Sequence, residues 1–264
     1  MLLVDSHCHL DQLNYNTIHI NINDMLHKAY KNHIKLFLCI ATSIQNCKSI
    51  VHLFKKNNNI LYSFGIHPLN CNVNTVDLIE LEQLTMYNKV IAIGETGLDY
   101  YHQPIQKELQ KWLFRKHIQL AKKIKKPVIV HSRQSNQDMI QILKEENAYS
   151  CKGILHAYCD DINIAKQLLN IGFYISFSGI ITFKNSEYIR KILKYIPIDS
   201  ILIETDSPYL TPVPYRGKEN QPAYLYNIAK YISCLKKIDI EMLSEITTNN
   251  FYKLFNIESN FIDS

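Results

Sequence analysis

The sequence predicts an α/β protein of the (β/α)8 TIM-barrel class, built as a single domain over residues 1–264, and three observations predict it. The length of 264 residues is near that of one such barrel and close to what a single hydrophobic core supports. Short apolar, β-branched runs recur at intervals of about 20 to 40 residues, and each is followed by a longer stretch with helical spacing, as in βα units around a parallel sheet. Eight such runs fit a closed barrel, and the first is not followed by the Gly-rich phosphate loop of an open doubly wound sheet.

The strand-like runs begin near Leu2, Leu36, Leu61, Val90, Val128, Gly153, Phe173 and Ile201. Helical spacing follows over 22–33, 43–57, 76–87, 104–125, 135–147, 160–170, 184–195 and 221–235, with one or two further helices before the C-terminus. Pro104 suits the first turn of the fourth helix, where a missing N–H is tolerated. Pro127 follows the lysine-rich stretch 122–126 and hands over to the strand Val128-Ile-Val130. The lysines suit a solvated helix C-terminus better than a nucleic-acid patch. The single Trp112 and the apolar stripe around it are expected in the core. No internal repeat, low-complexity tract or interdomain linker interrupts the alternation.

Composition narrows the function classes. A hydrophobic fraction of 47% and a charged fraction of 20% are ordinary for a globular protein, and no apolar run approaches the roughly 20 residues of a transmembrane helix. A soluble protein without membrane attachment is expected. His7 and His9 lie so near the N-terminus that no cleaved leader fits ahead of them, which makes a cytoplasmic location the expectation. Seven cysteines, at positions 8, 39, 47, 71, 151, 159 and 234, contain no Cys-x-x-Cys pair and read as reduced, mostly buried thiols. The net charge of +5 is compatible with a polyanionic substrate without demanding one. No obligate protein partner is evident.

The residues that end each run carry the chemistry. The first ends in Asp5-Ser-His7-Cys-His9, the third in His67-Pro68, the fourth in Glu95, the fifth in His131-Ser-Arg133, the sixth in His156 and the eighth in Glu204-Thr-Asp206. In a barrel these ends converge on one face, where active sites of this fold are built. His7 and His9 are two apart on an extended segment, so both leave the same face and can share one ion. Imidazole nitrogens and carboxylate oxygens suit Zn, Mn or Mg, and a carboxylate such as Glu95 can bridge two ions. Any one of these histidines alone would fit a satisfied interior position, and Glu95 alone a turn. Independent structural histidines, however, have no reason to fall at four strand ends in register with acids on two others. The remaining histidines, His19, His27, His33, His52, His102 and His117, fall in helices or their flanking loops and read as surface or packing residues.

The segments Asp5-Ser-His-Cys-His-Leu-Asp11, Gly65-Ile-His-Pro68, Ile93-Gly-Glu-Thr-Gly-Leu-Asp-Tyr100, Pro127-Val-Ile-Val-His-Ser-Arg133, Gly153-Ile-Leu-His156 and the long block from Ile203 to Pro222 together resemble the TatD-related deoxyribonucleases, within the amidohydrolase-like metal-dependent hydrolases. The resemblance runs from residue 5 to Phe251, with no departure at a site position. It implies two divalent cations per chain, one held by His7, His9, Glu95 and Asp206, the other by Glu95, His131 and His156, with Glu95 as the bridge. It also implies hydrolysis of nucleic-acid phosphodiesters, for DNA mainly exonucleolytic.

On that basis a water shared by the ions is the expected nucleophile, with Asp206 taking its proton and Glu95 and Asp206 as the catalytic carboxylates. Asp206 also suits an N-cap or Asx turn before Ser207-Pro208. Arg133, Tyr215, Arg216 and Lys218 lie past the fifth and eighth runs and are candidate phosphate contacts, against a purely structural Pro-rich loop. His67 is a candidate for bonding the scissile group or orienting a ligand. Two alternatives stay open: an acyl-ester hydrolase on the same site, for example toward a mischarged aminoacyl-tRNA, and a non-catalytic barrel that binds nucleic acid.

Overall fold

A computed structural model describes residues 1–72 and 76–258. The elements in chain order are β1 (Leu3–Cys8), α1 (Ile22–Lys31), β2 (Ile34–Ile40), α2 (Ile44–Phe54), β3 (Ile60–Phe64), α3 (Leu78–Leu84), β4 (Val90–Asp99), α4 (Lys107–Ile124), β5 (Val128–Arg133), α5 (Asn136–Glu145), β6 (Gly153–Leu155), α6 (Ile162–Asn170), β7 (Tyr174–Phe177), α7 (Glu187–Tyr195), β8 (Ile201–Ile203), α8 (Leu225–Lys236) and α9 (Ile240–Phe255). All eight strands belong to one sheet in the order β1 to β8, with parallel pairing. Strand–helix alternation around such a sheet is the (β/α)8 barrel. Among the described residues no helix is long and apolar enough to cross a membrane.

Contacts between residues cluster into two compact units. The first comprises Met1–Cys39, Ala157–Asp161 and Ile175–Ser264. Its core is made by Leu3, Leu36, Phe37, Ile175, Phe177 and Ile201, closed by Phe251 and Leu254 of α9, all buried. The end of β1 is tied to the segment after β8: the Asp206 amide donates to the His7 carbonyl at 2.9 Å, and the His9 amide to the Ser207 carbonyl at 2.8 Å. The second unit comprises Ile40–His156 and Ile162–Tyr174. Phe64, Ile93, Val128 and Val130 fill it from the strands, and Leu113, Phe114 and Ile118 from α4.

Local chemistry sets the element ends. Ser43 caps α2 by accepting from the Asn46 amide, and Asp77 caps α3 by accepting from Glu80, each contribution being about 1 kcal/mol. The Asp77 cap starts α3 later than the expected 76–87, and Thr85 ends it early. α4 begins at Lys107, so Pro104 lies in the preceding turn and not in the helix. Just before it, Asp99 Oδ1 captures the amides of Tyr101 at 3.0 Å and His102 at 2.8 Å and holds a turn over 99–102. Lys125 ends α4 in the left-handed conformation, with Pro127 beyond it as the sequence predicts. The expected helix 221–235 divides into a 3-10 turn, Pro222–Tyr224, and α8.

Two packing expectations are corrected. Trp112 is 43% exposed, because the buried stripe of α4 runs through Leu113, Phe114, His117, Ile118 and Ala121. The lysines near the end of α4 are not merely solvated: Lys122 Nζ donates to the Glu146 carbonyl and Lys126 Nζ to the Thr85 carbonyl, each at 2.7 Å. Of the seven cysteines, all free, five are buried and Cys159 and Cys234 are exposed.

Candidate metal centre

In the first unit, β1 delivers His7 and His9 to one side, as period-two alternation requires. Both rings are buried, and each Nε2 lies 3.5 Å from Asp206 Oδ1. Asp206 stands at φ +55°, and its carbonyl accepts from the Tyr209 amide at 2.8 Å, so a tight turn presents the carboxylate to both rings. Beneath this group Asp5 is fully buried and accepts from the Thr205 amide at 2.9 Å and its hydroxyl at 2.6 Å. Burial pushes the Asp5 carboxyl up to about 8, against the lowering effect of these bonds. Asn220, also buried, donates to the Thr205 carbonyl at 2.8 Å and the Tyr209 carbonyl at 2.5 Å, anchoring the Pro208–Pro222 segment.

In the second unit, one oxygen of Glu95 faces three imidazoles: His156 Nε2 at 2.8 Å, His131 Nδ1 at 3.0 Å and His67 Nε2 at 3.4 Å. Burial opposes ionisation of Glu95, but His156 and His67 together with bonds from His131 and His156 outweigh it and hold the carboxyl well below its usual range. His131 Nδ1 and His156 Nε2 face each other at 3.3 Å.

The hydrogen bonds at the far ring nitrogens distinguish the histidines. His131 Nε2 meets Asp99 Oδ2 at 3.2 Å and its Nδ1 meets Glu95 Oε1 at 3.0 Å; with an ion bound, a proton on Nε2 toward Asp99 would free the Nδ1 lone pair to ligate. Burial lowers the His131 pKa, and Asp99 and Glu95 more than reverse this, so it lies above the ordinary value. His67 has the opposite arrangement. Its Nδ1 accepts from the Leu69 amide at 3.1 Å, so the neutral ring carries its proton on Nε2, and burial keeps the ring toward the neutral form. His67 is thereby a donor at the rim, whereas His131 is set up as a ligand.

Metal–nitrogen bonds of about 2.0–2.1 Å in tetrahedral geometry put neighbouring ligand atoms about 3.3 Å apart. The separations of 2.8 to 3.5 Å around Glu95 and Asp206 match that spacing. Ligand atoms of His67, Glu95 and His131 all lie within 4.8 Å of one another. These His, Glu and Asp groups are able to hold metal ions.

Several residues of the site escaped the sequence reading. Asp99 is fully buried, contacts His131 and His102, and is itself fixed by Gln110, whose Oε1 accepts from the Asp99 amide at 2.8 Å and whose Nε2 donates to its carbonyl at 3.1 Å. The signal was present, because Glu95, Gly97 and Asp99 share one face of β4. Gly97, at φ +136°, lets β4 pass β5 closely: a Cβ there would fall on the His131 carbonyl oxygen. His102, read as a packing residue, bonds Asp99 Oδ2 at 2.9 Å. His117 is buried and accepts the Ile66 amide on Nε2 at 3.0 Å, fixing the segment that carries His67. Glu204, by contrast, was named at the end of the eighth run; on the segment after β8 it accepts the Ala157 amide at 2.8 Å, immediately after His156 in the chain.

Of the four expected phosphate contacts, Arg133 is the last residue of β5, and Tyr215, Arg216 and Lys218 lie in the segment after β8. Arg133 is exposed, with its guanidinium carbon 4.7 Å above the Tyr101 ring. Arg216 lies 3.8 Å over the Phe183 ring and donates to the Thr211 carbonyl at 3.0 Å. Tyr215 stacks on Tyr224 with centroids 4.0 Å apart, and the Lys218 carbonyl accepts from the Thr211 hydroxyl at 2.7 Å.

The family described as TatD related DNase matches residues 4–256. An uncharacterized metal-dependent hydrolase of Buchnera aphidicola subsp. Acyrthosiphon pisum (strain APS) is 56% identical over 97% of this chain and 100% of its own. The uncharacterized metal-dependent hydrolase YcfH of Escherichia coli is 46% identical over 100% of this chain and 99% of its own. The crystal structure of YjjV, a TatD homologue from Escherichia coli, superposes with a TM-score of 0.88 at 25% identity, covering 97% of this chain and 98% of that one. With a family match over nearly the full length and relatives of this identity, the chain belongs to the TatD-related DNase family.

Proposed function

We propose that this metal-dependent hydrolase cleaves phosphodiester bonds of DNA, exonucleolytically, as one catalytic domain over residues 1–264 acting in the cytoplasm with two divalent cations. The family's description supports the substrate class. The observation that carries the metal chemistry is the convergence of His156, His131 and His67 on a single Glu95 oxygen, beside the comparable approach of His7 and His9 to Asp206. In this reading His7, His9, Glu95 and Asp206 hold one ion, and Glu95, His131 and His156 hold the other. Mg, Mn or Zn would suit the donor set.

Bound divalent ions supply Lewis-acid charge for the phosphoryl oxygens and make an attacking water more acidic. The protein's own residues do the rest. Asp206, 3.5 Å from both the His7 and His9 rings, would accept the proton of the attacking water. His67, with its proton held on Nε2 by the Leu69 amide, donates toward the scissile group. Arg133, Tyr215, Arg216 and Lys218 bind flanking phosphates. Asp99 keeps His131 in the ligating tautomer.

The test is a hydrolysis assay on single- and double-stranded DNA, beside an acyl-ester substrate, with elemental analysis of the same preparation. Release of mononucleotides that depends on added divalent ions is the expected result. Ester hydrolysis without phosphodiester cleavage would overturn the assignment.

A further inference from the structure

Beside the second metal-binding group lies a cleft of about 620 Å³ to which the mechanism assigns no role. Its lining draws on the segments after β2, β3 and β4. Ile66 and Leu69 bracket His67 in the chain, and His67 Nε2 lies 3.4 Å from Glu95 Oε1, so one residue links the cleft wall to the metal-binding group.

The composition of its walls selects the ligand. Ile44, Ile66 and Leu69 supply apolar surface. The charges cancel, because Lys48 Nζ lies 2.6 Å from Glu80 Oε1, and so no unpaired cation remains for a free anion. The rim carries the carboxamides of Gln45, Gln103 and Gln106, none of which bonds another described residue. Gln106 stands at the N-cap of α4 without capping it. By contrast, Asn70 already donates to the Thr42 carbonyl at 2.9 Å. Each carboxamide offers donor and acceptor side by side. A mostly polar wall, with neutral carboxamides as mixed donors and acceptors and Ile44, Ile66 and Leu69 as its smaller apolar part, fits a flat heterocycle with both kinds of edge group, and the volume lies in the range of small-ligand pockets, about 300–1,000 Å³.

We infer that this cleft binds the nucleobase of a nucleotide flanking the cleaved phosphodiester, with the carboxamides of Gln45, Gln103 and Gln106 bonding the base edge. The inference rests on the phosphodiesterase reading for its substrate class. Gln103 is also joined to the metal-binding group through Gln110, whose Nε2 donates to the carbonyls of both Gln103 and Asp99. Occupancy of the cleft would therefore register the strand against the site without touching the reacting atoms, and its loss should appear in KM more than in kcat.

The probe is a fluorescein-labelled single-stranded pentamer with phosphorothioate linkages that resist cleavage. Its binding to the metal-loaded protein is measured by anisotropy, with an abasic residue placed at each position in turn. One abasic position should weaken binding to the parent by roughly tenfold, the effect of one or two lost hydrogen bonds with base burial. In Gln45→Ala/Gln103→Ala, intact and abasic probes should bind equally. The substituted side chains are exposed or half-buried, and melting curves will show an intact fold. An equal base preference in parent and variant, or no preference at any position in the parent, would overturn the inference. Cleavage of the unmodified pentamer is scored separately. Base-dependent binding without cleavage would sink the nuclease reading and leave the cleft assignment standing, whereas cleavage without base preference would do the reverse.

Discussion

Replacing Asp99 by Asn should weaken divalent-ion binding by roughly 10- to 100-fold and leave the fold standing. The backbone bonds from Asp99 to Gln110 do not involve its side chain, and the retained oxygen still accepts the Tyr101 and His102 amides. Only the Oδ2 side changes. There an amide donor would face His131 Nε2, now 3.2 Å from an acceptor, and His102 Nδ1 at 2.9 Å. A hydrogen bond to a charged group contributes about 1.5–3 kcal/mol, and about 1.4 kcal/mol is a decade in affinity, which gives the stated range. Removing outer-shell partners of ligating histidines has effects of the same size. The assay is competition of Mn or Zn ions against a fluorescent chelator, with thermal melting of the metal-free protein as control. His102→Ala, which leaves the His131 bond in place, should largely keep the parental affinity. Parental affinity in Asp99→Asn would refute the claim that Asp99 positions His131.

Three other outcomes follow from the same geometry. Burial pushes His117 down to about 4 from its ordinary 6.5, so the unfolded chain takes up a proton that the folded one refuses. Stability is therefore lost as the pH falls from about 6.5 toward 4, by up to about 3 kcal/mol from this group. Urea unfolding of the parent and His117→Gln should show their difference shrinking in acid, and a constant difference would refute the assignment. Arg216→Ala should raise KM for DNA far more than it lowers kcat and should flatten the salt dependence, whereas unchanged KM would make its contact with Phe183 purely structural. Gly97→Ala should lower the melting temperature sharply, because its Cβ would collide with the His131 carbonyl; near-parental melting would show that β4 and β5 can part there.

The barrel order was legible because its signal is short-range. Apolar runs from Leu2 to Val4 and from Val128 to Val130, and the stop at Pro127, depend only on neighbours in sequence. Strand alternation made the shared face of His7 and His9 legible, whereas Asp99, two positions beyond Gly97 on the face of Glu95, was not picked out. Less visible was what holds them. Asp5 meets Thr205 across 200 residues, and Ile66 meets His117 across 51, so no local pattern marks either pair. The start of α4 was misread by three residues, since Pro104 fits the turn that precedes the helix as well as a helix's first turn. Trp112 was misplaced because a helix stripe one residue out of phase exchanges core for surface, and α4 buries Leu113 instead.

The two-ion phosphodiesterase is tested most directly by following turnover of single-stranded DNA as ions are restored to stripped protein, with bound metal counted on each sample. Turnover should be absent without ions and appear as occupancy approaches two per chain, and Asp206→Asn with its ions bound should fall by about 10²–10⁴-fold. Full turnover in the stripped protein, or none with both ions bound, would contradict the account.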